Sequence, residues 1–98
     1  MDADSAETIA LSALAFLAED PPRLGRFLAL TGVGPDELRM HARAPRILAA
    51  VLNHLQQDES LLLVFAAGHD VAPELIAPAQ AVLEELAAAE AENGAGGS

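Results

Sequence analysis

The sequence predicts an all-α fold: one compact domain of five or six short helices in an irregular orthogonal bundle. The chain has 98 residues, the size of one ordinary domain. Its hydrophobic content of 52% comes mostly from Ala and Leu, which favour helices, with three Phe and no Trp or Tyr. Residues that cap or break helices recur at short intervals, and the apolar-polar alternation typical of strands does not occur.

The first two predicted helices meet at the prolines that follow Asp20. The first begins at Asp4, because Asp4 and Glu7 have the spacing of a capping box. It ends at residues 19–20, since a residue before proline is disfavoured in a helix. The second covers residues 21–31, with Asp20 as its cap and two prolines where a missing N–H costs nothing. The glycine that follows can supply its left-handed end.

The third and fourth predicted helices each start at a proline. The third is short and begins at Pro35, after Gly34. Its first turn carries Asp36 and Glu37, where the helix dipole favours carboxylates. Pro45 opens the fourth helix, PRILAAVLNHLQQ. Its apolar residues at helical spacing are expected to form one buried stripe, made of Ile47, Val51, Leu52 and Leu55.

The fifth helix, ESLLLVFAA at residues 59–67, is the predicted centre of the bundle. Asp58 caps its start and Gly68 ends it. Residues 61–65 are all apolar and point around the whole circumference, and a helix that is apolar on every side is enclosed by its neighbours. The residues expected to pack around it are Leu14, Phe16, Leu17, Leu24, Phe27, Leu28 and Leu30.

The last helix is predicted to run from Pro78 to about Ala89, because a proline inside a helix removes a hydrogen bond and clashes with the preceding turn. An irregular turn is therefore expected at residues 73–77. Residues 1–90 form the predicted domain. Residues 91–98 are expected to be a disordered tail, since they contain no apolar side chain larger than Ala.

The cationic side chains are confined to one part of the chain. All five are arginines between residues 23 and 46, where two acids oppose them and the formal net charge is +3. The rest of the chain carries −13, and the total of −10 disfavours nucleic acid and anionic lipid as partners. The chain has no cysteine, and its apolar amino-terminal stretch follows acids and is too short for a bilayer. These features predict a cytoplasmic protein without membrane contact.

One segment, LALTGVGPDELR at residues 28–39, resembles the helix-hairpin-helix motif, in which a Gly-hydrophobic-Gly turn presents helix amides to a DNA phosphate. The match covers Leu28, Gly32, Val33, Gly34, Pro35 and Leu38. In that family a Lys or Arg commonly follows the second glycine, where this chain has Asp36 and Glu37. A phosphate would meet two carboxylates at contact range. The sequence thus favours a structural turn that holds neither DNA nor RNA.

The arginines after this turn leave a second interpretation open. Arg39 and Arg43 share a helical face and could reach a nucleic-acid backbone, or they could pair with acids of this chain or of a partner. Arginines beside free amides would favour nucleic acid, and arginines paired with acids would favour a protein partner. The residues that could contact a phosphate or a partner are Gly32, Val33, Gly34, Arg39, Arg43 and Arg46.

No enzymatic activity, metal site or cofactor is predicted. The chain has no Lys, Cys or Tyr, and two of its serines lie near helix starts, where a hydroxyl usually caps. Its histidines, His41, His54 and His69, fall on three different elements. His54 and Asp58 have a spacing that could place two metal ligands on one helical face, but Asp58 is the predicted cap of the next helix and no second pair completes a site.

Three stretches, AETIALSALAFLAED, RLGRFLALTGVGPDELR and AVLNHLQQDESLLLVFA, resemble a small alphaproteobacterial family described only as a domain of unknown function. They span roughly residues 6–67. The resemblance implies a cytoplasmic bacterial protein and brings no activity, cofactor or site. The predicted function is a non-enzymatic protein-interaction or adaptor module, monomeric or homodimeric, with an unidentified protein partner. The alternative is a nucleic-acid-associated factor that uses Gly32–Gly34 with Arg39 and Arg43.

Overall fold

The computed structural model describes residues 1–96, and it describes side chains as far as residue 92. Within this range it contains six α-helices, one turn of 3-10 helix and no strand. The α-helices are α1 (Ala3–Ala18), α2 (Pro21–Thr31), α3 (Pro35–His41), α4 (Pro45–Gln56), α5 (Glu59–Gly68) and α6 (Ile76–Gly96), and the 3-10 turn, Pro73–Leu75, leads directly into α6. The predicted all-α single domain is confirmed.

The fourth helix, α4, is the centre of the bundle. It packs against α1, α2, α5 and α6. The predicted apolar stripe is confirmed, and further side chains widen it. The buried residues of α4 are Ile47, Leu48, Ala49, Val51, Leu52, His54 and Leu55. Side chains on more than one face of α4 are therefore covered by neighbouring helices.

The prediction that α5 is the central helix is wrong. Only Phe65 and Ala66 of α5 are buried, whereas Leu63 and Val64 are 47% and 52% exposed. The helix lies at the edge of the bundle, where it packs on α4 and on the 3-10 turn. An apolar circumference makes burial of a helix favourable, but burial on every side also requires neighbouring helices on every side. In this bundle α4 has such neighbours and α5 does not.

The residues predicted to surround α5 do not share one environment. The buried ones are Phe16, Leu17 and Phe27. The partly buried ones are Leu14, Leu24 and Leu28, and Leu30 is exposed. Leu30 is 66% exposed, so its assignment to the core is wrong. It belongs to the last turn of α2, a peripheral helix that buries only Phe27.

Small side chains are buried on α1, which packs against both α6 and α4. Ala6, Ala10 and Ala13 lie at helical spacing on α1 and have no exposed surface. On α6 the buried residues are Ile76, Ala79, Gln80 and Leu83. Because alanine ends at Cβ, this stripe takes up little space where α1 packs against its neighbours. The alanine-rich composition is thus part of the packing of α1.

The start of α1 differs from the prediction. The helix begins one residue before Asp4, and Asp2 caps it by accepting a hydrogen bond from the Ser5 amide at 2.8 Å. The predicted capping box is therefore wrong. Glu7 does not reach back to the helix start but pairs with Arg43, which lies far away in the chain.

The last helix, α6, is longer than predicted in both directions. It begins two residues before Pro78, and a proline in the first turn removes no hydrogen bond because those amides lack a partner within the helix. The helix is described through Gly96, past the predicted end near Ala89 and into residues 91–98, which the sequence assigns to a tail. Residues 97–98 lie outside the described residues. The alanines and glutamates of this region favour a helix.

No single helix in the described part of the chain is both long and apolar enough to cross a membrane. Helix α5 and the segment from Pro73 to Glu92 reach the length and the mean hydropathy of a membrane span only when taken together, and the two are bent by 113° at their junction. Both also pack against α4.

Candidate functional site

The turn between α2 and α3 places the two glycines of the predicted hairpin in different conformations. Gly32 is left-handed, with a φ of 78°, and its N–H donates to the Leu28 carbonyl at 3.0 Å. Gly34 has a φ of −79° and precedes the first residue of α3. The Thr31 hydroxyl accepts a hydrogen bond from the Val33 amide at 3.3 Å and closes the turn. The first glycine thus ends one helix, and the second allows the next to begin.

The amide at the start of α3 is occupied by a carboxylate of the same chain. Glu37 reaches back, and its Oε1 accepts a hydrogen bond from the Gly34 amide at 3.4 Å. Its Oε2 accepts a hydrogen bond from the Arg46 guanidinium. The hydrogen bond from Arg46 lowers the pKa of the Glu37 carboxyl, and the hydrogen bond from Gly34 lowers it further by a smaller amount. A phosphate at this turn would have to displace Glu37 from both partners.

The three candidate arginines each face a carboxylate. The pairs are Arg39 with Asp36 (3.6 Å), Arg43 with Glu7 (2.6 Å) and Arg46 with Glu37. The three arginines do not converge at one point: Arg46 reaches Glu37 beside the turn, whereas Arg43 reaches Glu7 on α1. Exposed ion pairs of this kind add little stability. They do, however, offset the positive charge that binding of a phosphate backbone would require.

Gly32→Ala is expected to destabilise the domain by about 1–2 kcal/mol, because the left-handed conformation costs a residue with a Cβ about that much. A Cβ at this position would meet no atom within 4 Å, so the cost comes from the backbone alone. Gly34→Ala is the matched control. Its Cβ also meets open space and its φ is negative, so its effect should stay within about 0.5 kcal/mol. Urea unfolding followed by circular dichroism measures both variants, and equal losses would contradict a special role for Gly32.

The histidines lie apart from one another. His54 on α4 is 6% exposed, and its ring lies edge-on to Phe27 with centroids 5.4 Å apart. Its Nε2 has no hydrogen-bond partner among the described residues. Asp58 is the cap of α5, because its Oδ1 accepts a hydrogen bond from the Leu61 amide at 3.1 Å. The His69 ring stacks on the Phe65 ring, with centroids 5.0 Å apart. In the part of the chain that the structure describes, no group of three His, Asp or Glu is placed to bind a metal.

The buried imidazole of His54 should make stability depend on pH. Burial lowers the pKa of His54, and the charge of Arg26 adds to this effect, against a smaller opposing effect of Asp58. In the unfolded chain the pKa of histidine is about 6.5, so the unfolded state takes up the proton first as the pH falls. The free energy of unfolding should therefore decrease from about pH 7.5 to about pH 5.5 and recover as the pH rises.

Urea unfolding at several pH values tests this expectation. His54→Gln should flatten the pH dependence, whereas His41→Gln, at an exposed position, should leave it as in the wild type. The carboxyls of Asp2 and Glu37 also have lowered pKa values, but the stability they contribute is lost only at lower pH. A slope that survives unchanged in His54→Gln would assign the effect to another group.

An open apolar groove lies between the start of α1 and the start of α6. Its volume is about 820 Å³. The lining includes Met1, Asp4, Thr8 and Ile9 on one side, and Leu75 and Pro78 on the other. Met1 and Leu75 are 49% and 41% exposed, so two large apolar side chains are partly open to solvent at this groove.

Sequence reasoning missed the groove, because its two walls are far apart in the chain. Sixty-six positions separate Ile9 from Leu75, and no local pattern joins them. On the first wall, the helical spacing of Met1, Ser5 and Thr8 is a signal that could have indicated a shared face. The second wall gave no such signal, since an irregular turn was expected there.

Comparison with known proteins identifies a family but no described function. The family described as "Protein of unknown function (DUF3572)" matches residues 3–86, which include α1 to α5 and the first half of α6. No curated protein and no solved structure matches the chain. The predicted resemblance to a family described only as a domain of unknown function is confirmed. Apart from Met1, the matched range contains both the hairpin turn and the lining residues of the groove.

Proposed function

We propose that this chain, which belongs to the DUF3572 family of proteins of unknown function, is a non-enzymatic protein-interaction module of the bacterial cytoplasm. The groove between α1 and the start of α6 is the observation that carries the proposal. Its apolar lining and its exposed Met1 and Leu75 would gain free energy on burial against another chain. A chain without cysteine also needs no oxidising compartment.

The size of the gain is consistent with reversible binding. Complete burial of one large apolar side chain contributes about 1.5–3 kcal/mol relative to full exposure. Met1 and Leu75 are about half exposed, so each offers only part of this amount. Association also has an entropic cost, which the partner must offset with further contacts. A module of this kind is suited to a partner that brings several apolar side chains to the groove.

The hairpin turn supports a protein partner over nucleic acid. Arg39, Arg43 and Arg46 are each paired with a carboxylate, and Glu37 occupies the amide of Gly34. Few cationic groups therefore remain to replace the counterions of a phosphate backbone. Outside the arginine-containing segment the chain carries a formal charge of −13, which repels a polyanion.

Site-specific photocrosslinking in a bacterial lysate tests the proposal. One form of the full chain carries the crosslinker at Thr8, an exposed residue of the groove, and the control form carries it at Ser60 on α5. We expect a defined protein product from Thr8 that excess unlabelled chain suppresses and that nuclease treatment leaves unchanged. Equal products from both positions, or no protein product, would refute the groove as the interaction surface.

The nucleic-acid alternative has a direct test of its own. Fluorescent duplex and single-stranded oligonucleotides are titrated with the full chain at low and at physiological ionic strength. We expect no binding at physiological ionic strength, because Glu37 accepts a hydrogen bond from the Gly34 amide and Arg39, Arg43 and Arg46 are each paired with a carboxylate. Micromolar or tighter binding that is lost in the double variant Arg39→Ala, Arg43→Ala would establish the alternative function.

A further inference from the structure

We infer that the groove binds a cationic amphipathic helix supplied by another protein. The inference rests on the proposed function and adds the chemistry of the partner. Apolar side chains along one face of that helix would enter the groove, and Lys or Arg on its flanks would meet the acids beside it.

Both walls of the groove belong to elements that carry acids and no cationic side chain. α1 contains Asp4 and Glu7, and Pro73–Gly96 contains five glutamates, with no Lys, Arg or His in either element. Asp4 lines the groove, and the exposed Glu74 directly precedes Leu75 in the opposite wall. The α-ammonium group of Met1 is a cation on the first wall, but the acids of the two walls outnumber it. The balance of charge around the groove is therefore negative, which favours association with a cationic segment.

The charges also decide between possible occupants. A second copy of the chain carries the same net charge of −10 and the same acids at its own groove. A fatty acid or an anionic lipid likewise brings a negative group to Asp4. Repulsion between like charges therefore disfavours both of these occupants.

Asp4 is free of ion pairs within the part of the chain that the structure describes. Glu7 is paired with Arg43, whereas none of the ion pairs in the described residues involves Asp4. The charge of Asp4 is therefore available to a cation of the partner.

The length of the α1 wall fits a short stretch of helix. From Asp4 to Ile9 the helical part of this wall extends about 7.5 Å, at 1.5 Å per residue, and Met1 extends the wall beyond the helix start. A partner helix with apolar residues at positions i, i+4 and i+7 presents them over about 10.5 Å. An extended peptide gains affinity by pairing with a sheet edge, and the described residues contain no strand. Helix-in-groove docking is therefore the mode that this surface supports.

Selection from a displayed library of random peptides tests the inference. Peptides of about 15 residues, which form about four helical turns, are selected against the full chain. We expect the enriched peptides to combine apolar residues at i, i+4 and i+7 with flanking Lys or Arg. Circular dichroism should show that a selected peptide gains helix on binding, and fluorescence polarisation measures its affinity.

Two groove variants and two matched controls locate the binding site. Leu75→Gln and Asp4→Lys should each weaken binding of a selected peptide by about tenfold. Leu30→Gln changes an exposed leucine elsewhere, and Glu59→Lys reverses another exposed acid in the first turn of a helix, so both should stay within about twofold of the wild type. If the Leu75→Gln variant is unfolded, the affinity of the Asp4→Lys variant for the selected peptide decides the test.

Several outcomes would overturn the inference. Enriched peptides that are neutral or acidic, or peptides whose binding is unaffected by Asp4→Lys, would show that the occupant is of another class. If no peptide is enriched while the Thr8 crosslink still captures a defined protein, the cationic-helix inference fails and the proposed interaction function stands. If neither experiment yields a product, both fail.

Discussion

Phe65→Ala is expected to lower the free energy of unfolding by about 3–5 kcal/mol, the range observed for a phenylalanine removed from a core. Phe65 has no exposed surface, and it is one of two buried residues of α5. Its ring is tilted against Phe16 at 5.5 Å and stacks on His69 at 5.0 Å. The substitution removes both aromatic contacts and leaves a cavity between α5 and α1, so the loss exceeds the transfer free energy of the ring alone.

Urea unfolding monitored by far-ultraviolet circular dichroism measures the effect of Phe65→Ala. A domain of this size has a typical stability of about 5–15 kcal/mol, so the variant should unfold at much lower urea or be partly unfolded without it. Val64→Ala is the matched control, because the neighbouring side chain is 52% exposed and its loss should cost no more than about 0.5 kcal/mol. A loss below about 1 kcal/mol for Phe65→Ala would place that ring outside the core.

Most helix boundaries could be predicted from local chemistry. The starts of α2, α3 and α4 at prolines, the left-handed end of α2 at Gly32 and the cap of α5 at Asp58 all follow from nearby residues. The start of α1 could not be decided in this way, because Asp2 and Asp4 are chemically equivalent caps two residues apart. The earlier start was missed because spacing alone favoured the capping box.

The arrangement of the helices depended on information that no single helix contains. A proline inside an apparent helix shortened the predicted α6, although Pro78 lies harmlessly in its first turn. That error hid the long contact surfaces of α6 with α4 and α1. The apolar circumference of α5 predicts a central helix, but only Phe65 and Ala66 of that helix are buried. Tertiary packing overrode the pattern within α5.

The candidate site was predictable only in part. The two glycines and the acids that follow them were sufficient to favour a structural turn, and Glu37 is found hydrogen-bonded to Gly34. The partner of Arg43 is Glu7, which is remote in sequence, so pairing could be suggested but not assigned. The groove requires two walls that only the fold brings together. Sequence analysis therefore addressed the turn and missed the surface on which the proposed function depends.

Leu52→Ala is expected to cost about 2–5 kcal/mol, because Leu52 has no exposed surface on the helix that contacts α1, α2, α5 and α6. Leu63→Ala removes the same atoms from α5, where the side chain is 47% exposed, and should cost less than about 1 kcal/mol. The two variants make the same Leu→Ala change on α4 and on α5, and urea unfolding followed by circular dichroism compares their losses of stability. Comparable losses in both variants would mean that α5 is enclosed as fully as α4. That result would restore α5 to the centre of the bundle.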